Sequence, residues 1–156
     1  MIAKAATISH GGNAVRYSVN KDKAEIVKVN FLPDDISAEA MFQRMVLKQK
    51  EFSSIINKGR PLKRNVIRME ISPTKEESAG WTLADWVRLA NEYIRVFDSI
   101  DLSKKAKRAS AKFTNVKNSQ YVVALHHDAK SGIPHLHIDV NRVDMDGKVN
   151  DDHLIA

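Results

Sequence analysis

Apolar and polar positions alternate with two periods along this chain, and the switches between them outline its elements. Residues 2–8 read as a strand that ends in a turn at Gly11-Gly12, followed by a short helix or bend carrying Val15, Arg16 and Tyr17. Residues 25–31 alternate loosely through Ile26, Val27, Val29 and Phe31, as a short strand or an irregular segment, before Pro33-Asp34-Asp35 breaks the chain. Ser37 is suited to cap a helix whose buried stripe runs through Met41, Phe42, Met45, Leu47, Phe52, Ile55 and Ile56 until Gly59-Arg60-Pro61 stops it. Residues 65–71 form a strand closed by Ser72-Pro73. Thr82-Leu83-Ala84-Asp85 resembles a capping box, with Asp in place of the usual Glu or Gln. Behind it Trp86, Val87, Leu89, Ala90, Tyr93, Ile94 and Phe97 recur at helical spacing. Residues 103–119 are polar and read as a connection, 121–125 and 135–143 as buried strands, and residues 144–147 as a turn. This order predicts one α+β domain over residues 1–156, a mainly antiparallel central sheet with two long helices packed on one face.

Composition narrows the class. With 156 residues, 43% hydrophobic and 28% charged, the chain can bury a core of its own as an ordinary globular domain. It has no cysteine, which excludes disulfides and thiolate metal sites. No apolar run reaches membrane-spanning length, so a cytoplasmic location is expected. The net charge of +6 favours a polyanionic partner. Its distribution says more: residues 102–127 hold Lys104, Lys105, Lys107, Arg108, Lys112 and Lys117 and no acid. Basic groups gathered in one segment suit phosphate contacts.

The chemistry is concentrated nearby, where four of the six histidines lie within residues 126–137. Side chains of a strand alternate faces, so His135, His137, Asp139 and Asn141 share one face and Leu136, Ile138 and Val140 the other. If the preceding strand pairs as a hairpin around Lys130-Ser131-Gly132, His126 approaches His135 and His137. Three imidazoles could then hold a divalent cation and leave positions open for substrate oxygens. His127 has the opposite parity to His126, so only one of the two can point at the cluster. Asp128, Glu70 and Asn141 are candidate partners for the outer ring nitrogens, and Glu70 is notable for interrupting an apolar strand. His10 and His153 stand outside the pattern.

The run from His126 through Pro134-His135-Leu136-His137 to Asn141, followed by Arg142-Val143-Asp144 and Gly147, resembles the metal-binding motif of mobilization relaxases, which are HUH endonucleases. Upstream, Glu70-Ile-Ser-Pro73, the helix over 81–97 and Tyr121-Val-Val-Ala-Leu-His126 follow in the same order as in that family. The segment Ile8-Ser-His-Gly-Gly-Asn13-Ala14-Val15-Arg16-Tyr17 is similar to the one that bears its nucleophilic tyrosine.

The resemblance implies a palm-like, ferredoxin-like topology. It implies that His126, His135 and His137 hold Mg²⁺ or Mn²⁺, with Zn²⁺ the alternative, although imidazoles alone prefer Mn²⁺ or Zn²⁺ to Mg²⁺. It implies that Tyr17 attacks the scissile phosphate at an origin of transfer, leaving a 5′-phosphotyrosyl link and a free 3′-hydroxyl. Some relaxases use histidine as nucleophile, which makes His10 the minor rival. Arg16, Lys21, Lys23 and the segment Lys104, Lys105, Lys107, Arg108, Lys112 and Lys117 would line the path of the single-stranded DNA. Accessory mobilization proteins would complete a relaxosome in the bacterial cytoplasm. The last residues, without a cap or closing strand, read as the end of an N-terminal fragment of a longer protein. Three alternatives compete. The rolling-circle initiators and transposases of the same superfamily carry their tyrosine after the histidine pair, whereas Tyr17, Tyr93 and Tyr121 all precede His126. A non-catalytic basic binder of single-stranded nucleic acid would also carry this charge. A histidine-metal enzyme for small molecules would not need it.

Overall fold

The computed structural model describes residues 1–104, 112–127 and 130–150, with Lys104 described by its backbone alone. Its elements are β1 (Ile2–Ile8), α1 (Gly11–Asn20), β2 (Glu25–Asn30), α2 (Ala38–Glu51), α3 (Ser53–Ile56), β3 (Val66–Ser72), α4 (Leu83–Asp98), β4 (Tyr121–His126) and β5 (His135–Asn141). Short 3-10 turns at Leu102–Lys104 and Val116–Asn118 lie between α4 and β4. The five strands form one sheet in the order β1-β3-β5-β4-β2, with every described pairing antiparallel. The α+β class and the antiparallel sheet are those the sequence predicts. The histidine strand β5 is the central strand.

Alternation along the three inner strands gives the sheet two faces and a core on each. Ile67, Met69 and Ile71 of β3, Val123 and Leu125 of β4, and Leu136, Ile138 and Val140 of β5 pack with Trp86, Ala90 and Ile94 of α4. Val66 and Val122, one residue out of phase, pack with Val15 of α1 and Ala38, Met41 and Met45 of α2. The long helices α2 and α4 are thus divided between the two faces. An apolar stripe dictates that a helix is buried, but not against which side of a sheet. The α4 stripe is anchored by an edge-on Trp81–Trp86 pair with centroids 4.8 Å apart, and burying each large side chain stabilises by about 2–3 kcal/mol. Asp85 completes the capping box by accepting from the Thr82 amide at 2.8 Å.

Ser37 caps α2 as expected, its hydroxyl accepting from the Ala40 amide. The predicted long helix breaks at Phe52, and α3 follows as a single turn. The Phe52 ring lies against Gly147, where an added Cβ would sit 2.4 Å from it. The Gly11-Gly12 pair is the first turn of α1 rather than a loop, with His10 at its N-cap. Gly11 lets the helix approach the sheet, because a Cβ there would meet Val66 at 2.4 Å. Among the described residues no helix is long and apolar enough to cross a membrane.

Candidate metal centre and its tyrosine

β4 ends at His126 and β5 begins at His135, and the two residues are register partners across the hairpin. His137, two residues further, pairs with Ala124 on one side and Glu70 on the other. The small side chain of Ala124 leaves the space that the rings fill. Ring centroids are 4.2 Å apart for His126 and His137, 5.0 Å for His135 and His137, and 5.4 Å for His126 and His135. One nitrogen of each ring lies within 4.8 Å of those of the other two. His127 projects outward instead, exposed and 3.7 Å from Glu25.

Hydrogen bonding sorts the nitrogens. His126 Nε2 is 2.8 Å from the Ser18 carbonyl, one of the last four of α1 and so without a partner inside the helix. A carbonyl can only accept, so Nε2 carries the proton and Nδ1 the lone pair. His135 Nδ1 faces the Ile133 carbonyl at 3.4 Å, which leaves its lone pair on Nε2. His137 Nδ1 faces a donor, Arg68 Nη2 at 3.4 Å, and the Glu70 carboxylate lies further off, at 3.7 Å. Binding a cation through Nε2 requires the proton on Nδ1, and so requires Nδ1 to turn from the Arg68 donor to the Glu70 carboxylate. Three imidazoles converging on one point are a donor set that fits a divalent metal ion.

Tyr17 lies over this cluster. Gly11, Ala14, Val15 and Ser18 are the buried positions of α1, and Tyr17 falls at the edge of that stripe, 42% exposed. Its ring centroid is 5.5 Å from that of His126 and 5.6 Å from that of His137. Two cations flank it: Lys21 Nζ at 4.7 Å and Arg68 Cζ at 5.1 Å from the centroid. His10 sits seven residues earlier on the same helix, about 10 Å along its axis.

Other expected residues lie elsewhere. Asn141 is fully buried, but it bonds Gln49, Gln120, the Met45 carbonyl and the Val143 amide rather than a histidine. It ties α2 to the far end of β5. Arg16 is held by Asn13 and lies 3.9 Å from Glu39. Lys112 is 3.8 Å from Asp101. Lys105, Lys107, Arg108, Asp128 and His153, and the Lys104 side chain, lie outside the described residues.

Sequence reasoning assigned no role to two residues here. Arg68 pairs with Asp139 across β3 and β5, and the alternation of Val66, Arg68, Glu70 and Ser72 already put it on the histidine face. Asp139 is fully buried beneath the cluster. Burial first, and the Glu70 carboxylate, push its pKa up to about 6 against the pull of the Ser18 hydroxyl and the Arg68 charge.

The family model described as relaxase, MobA/VirD2-like, nuclease domain, matches residues 14–155. No curated protein matches the sequence significantly.

Proposed function

The chain belongs to the MobA/VirD2-like relaxase nuclease family, and from that premise we propose that it cuts and rejoins one DNA strand at an origin of transfer through Tyr17. The observation that carries this reading is the half-exposed Tyr17 ring within 5.6 Å of two imidazoles of a metal-competent triad. In the proposed step the Tyr17 oxygen attacks the scissile phosphorus and the phenol proton is lost. The bond to the 3′-oxygen breaks in line, and that oxygen leaves as a 3′-hydroxyl after taking a proton. The 5′-phosphate stays on Tyr17. A phenolate is also a competent leaving group, so the 3′-hydroxyl can reverse the step and reseal the strand. A divalent ion at His126, His135 and His137 would polarise the phosphoryl oxygens and offset charge in the transition state. Lys21 and Arg68, beside the ring, supply positive charge where a phenolate develops when the strand is released.

The test is adduct formation. The protein is incubated with Mn²⁺ and supercoiled or single-stranded DNA carrying the origin of transfer of its own element, and SDS-resistant protein–DNA complexes are resolved by gel. Adducts are expected from the wild type and from Tyr93→Phe, and none from Tyr17→Phe. Absence of adduct with any origin of that element, in protein shown to bind metal, sinks the proposal. Continued nicking by Tyr17→Phe moves the role to His10 or to an activated water. The basic binder remains the second reading, favoured only by charge.

A further inference from the structure

We propose that Arg68 and the cavity beside it form a subsite for the backbone phosphate next to the scissile one, on the same DNA strand; the inference rests on the nicking function proposed above. Arg68 lies on β3 opposite Ala6 of β1 and Asp139 of β5, facing the histidine side of the sheet. A cavity of about 250 Å³ opens along it, lined by Lys4, Ala5, Ala6, Ile8, Arg68 and Glu70. It exists because β1 presents only the methyl group of Ala6 opposite Arg68. Two cations and one carboxylate line it.

The contacts of Arg68 are those of a residue waiting for an anion. Arg95 closes on Glu92 through both Nε and Nη2. Arg68 instead approaches Glu70 through Nη2 alone, at 3.6 Å, and its buried Nε has no hydrogen-bond partner. Glu70 has a second cation in Lys4, 3.0 Å away, and can spare the guanidinium. A guanidinium fork binds phosphate through two parallel N–H groups, a geometry that a lone ammonium lacks.

Position decides which phosphate. Arg68 Nη2 lies 3.4 Å from His137 Nδ1, and the cavity that Arg68 lines lies toward β1, on the side of β3 away from β5 and its histidines. The cavity is therefore displaced by about a strand spacing from the point where the scissile phosphate would be held. That offset suits the neighbouring phosphodiester.

A phosphate walk tests this. Oligonucleotides spanning the nick site, each with one phosphate replaced by a neutral methylphosphonate, are titrated against the wild-type protein in EDTA, where no cleavage interferes. Neutralising one of the two phosphates flanking the scissile position is expected to weaken binding about tenfold, and remote ones less. In Arg68→Ala that position loses its special cost, and the slope of log affinity against log salt falls by about one. Arg68→Lys keeps the charge and recovers part of the effect. A walk without a sensitive flanking position, or one unchanged in Arg68→Ala, overturns the subsite. The walk on wild-type protein decides even if Arg68→Ala fails to fold. The same unmodified oligonucleotide with Mn²⁺ separates the two ideas: adducts with a featureless walk overturn the subsite alone, and no adducts overturn both.

Discussion

The two faces of β5 are equally buried and opposite in content. Leu136, Ile138 and Val140 turn to α4 with no exposure, while His137, Asp139 and Asn141 turn to α1 and α2 with 3% or less. Burial therefore does not separate the structural face from the working one; the chemistry of the side chains does. Along the polar face the role of each residue changes in order. Asn141, at one end, is engaged through both of its amide atoms. Asp139, in the middle, sits where its charge is opposed. His137 and His135, at the other end, converge with His126 on one point. A single strand grades from scaffold to chemistry within seven residues.

This contrast can be broken by substitution. The largest effect on folding is expected from the apolar face: Ile138→Ala leaves a cavity and should cost about 2–5 kcal/mol in urea unfolding, while Tyr17→Phe shifts stability by less than about 0.5 kcal/mol. Comparable losses from both would erase the division of labour. Next comes Asp139. Folding raises its pKa from 3.8 to about 6, so the folded state retains the proton across that window. Its contribution to stability is greatest below pH 3.8 and falls by about 3 kcal/mol as pH climbs to 6, since each pKa unit is worth about 1.4 kcal/mol. Asp139→Asn should flatten this slope in metal-free unfolding between pH 4 and 7. Glu70→Ala removes the carboxylate beside His137 Nδ1 and should weaken Mn²⁺ binding about 10–100-fold by titration calorimetry. The smallest effect belongs to His127→Ala, with less than about 0.5 kcal/mol in stability and unchanged Mn²⁺ affinity. A large loss there would make the outward histidine, rather than His126, part of the centre.

Strand parity carried most of the site into the sequence. The period of two separates His126 from His127 and aligns His135, His137, Asp139 and Asn141 on one face. The same rule applied to β3 would have found Arg68, but an arginine in a strand reads as an exposed edge until the sheet order makes β3 an inner strand. Parity cannot tell how far along a face a residue acts. Asn141 shares the face with His137 yet lies four residues on, about 13 Å away, where it serves α2. The approach of Tyr17 to the histidines was legible only through the family resemblance, since it depends on how α1 packs across β3, β4 and β5. The break at Phe52 was hidden for a like reason, its partner Gly147 being far along the chain.

The bond between His126 and the Ser18 carbonyl couples two parts that could have been independent. Ser18 follows Tyr17 in the last turns of α1, so one hydrogen bond joins the helix that carries the tyrosine to the ring that would carry the metal. Fraying of that helix end would release the ring tautomer and displace the tyrosine in the same opening event. The centre should therefore assemble and come apart as a unit, and amide exchange at the end of α1 should slow when the histidines are occupied. A cutting enzyme that is either complete or idle spares its substrate from half-formed chemistry.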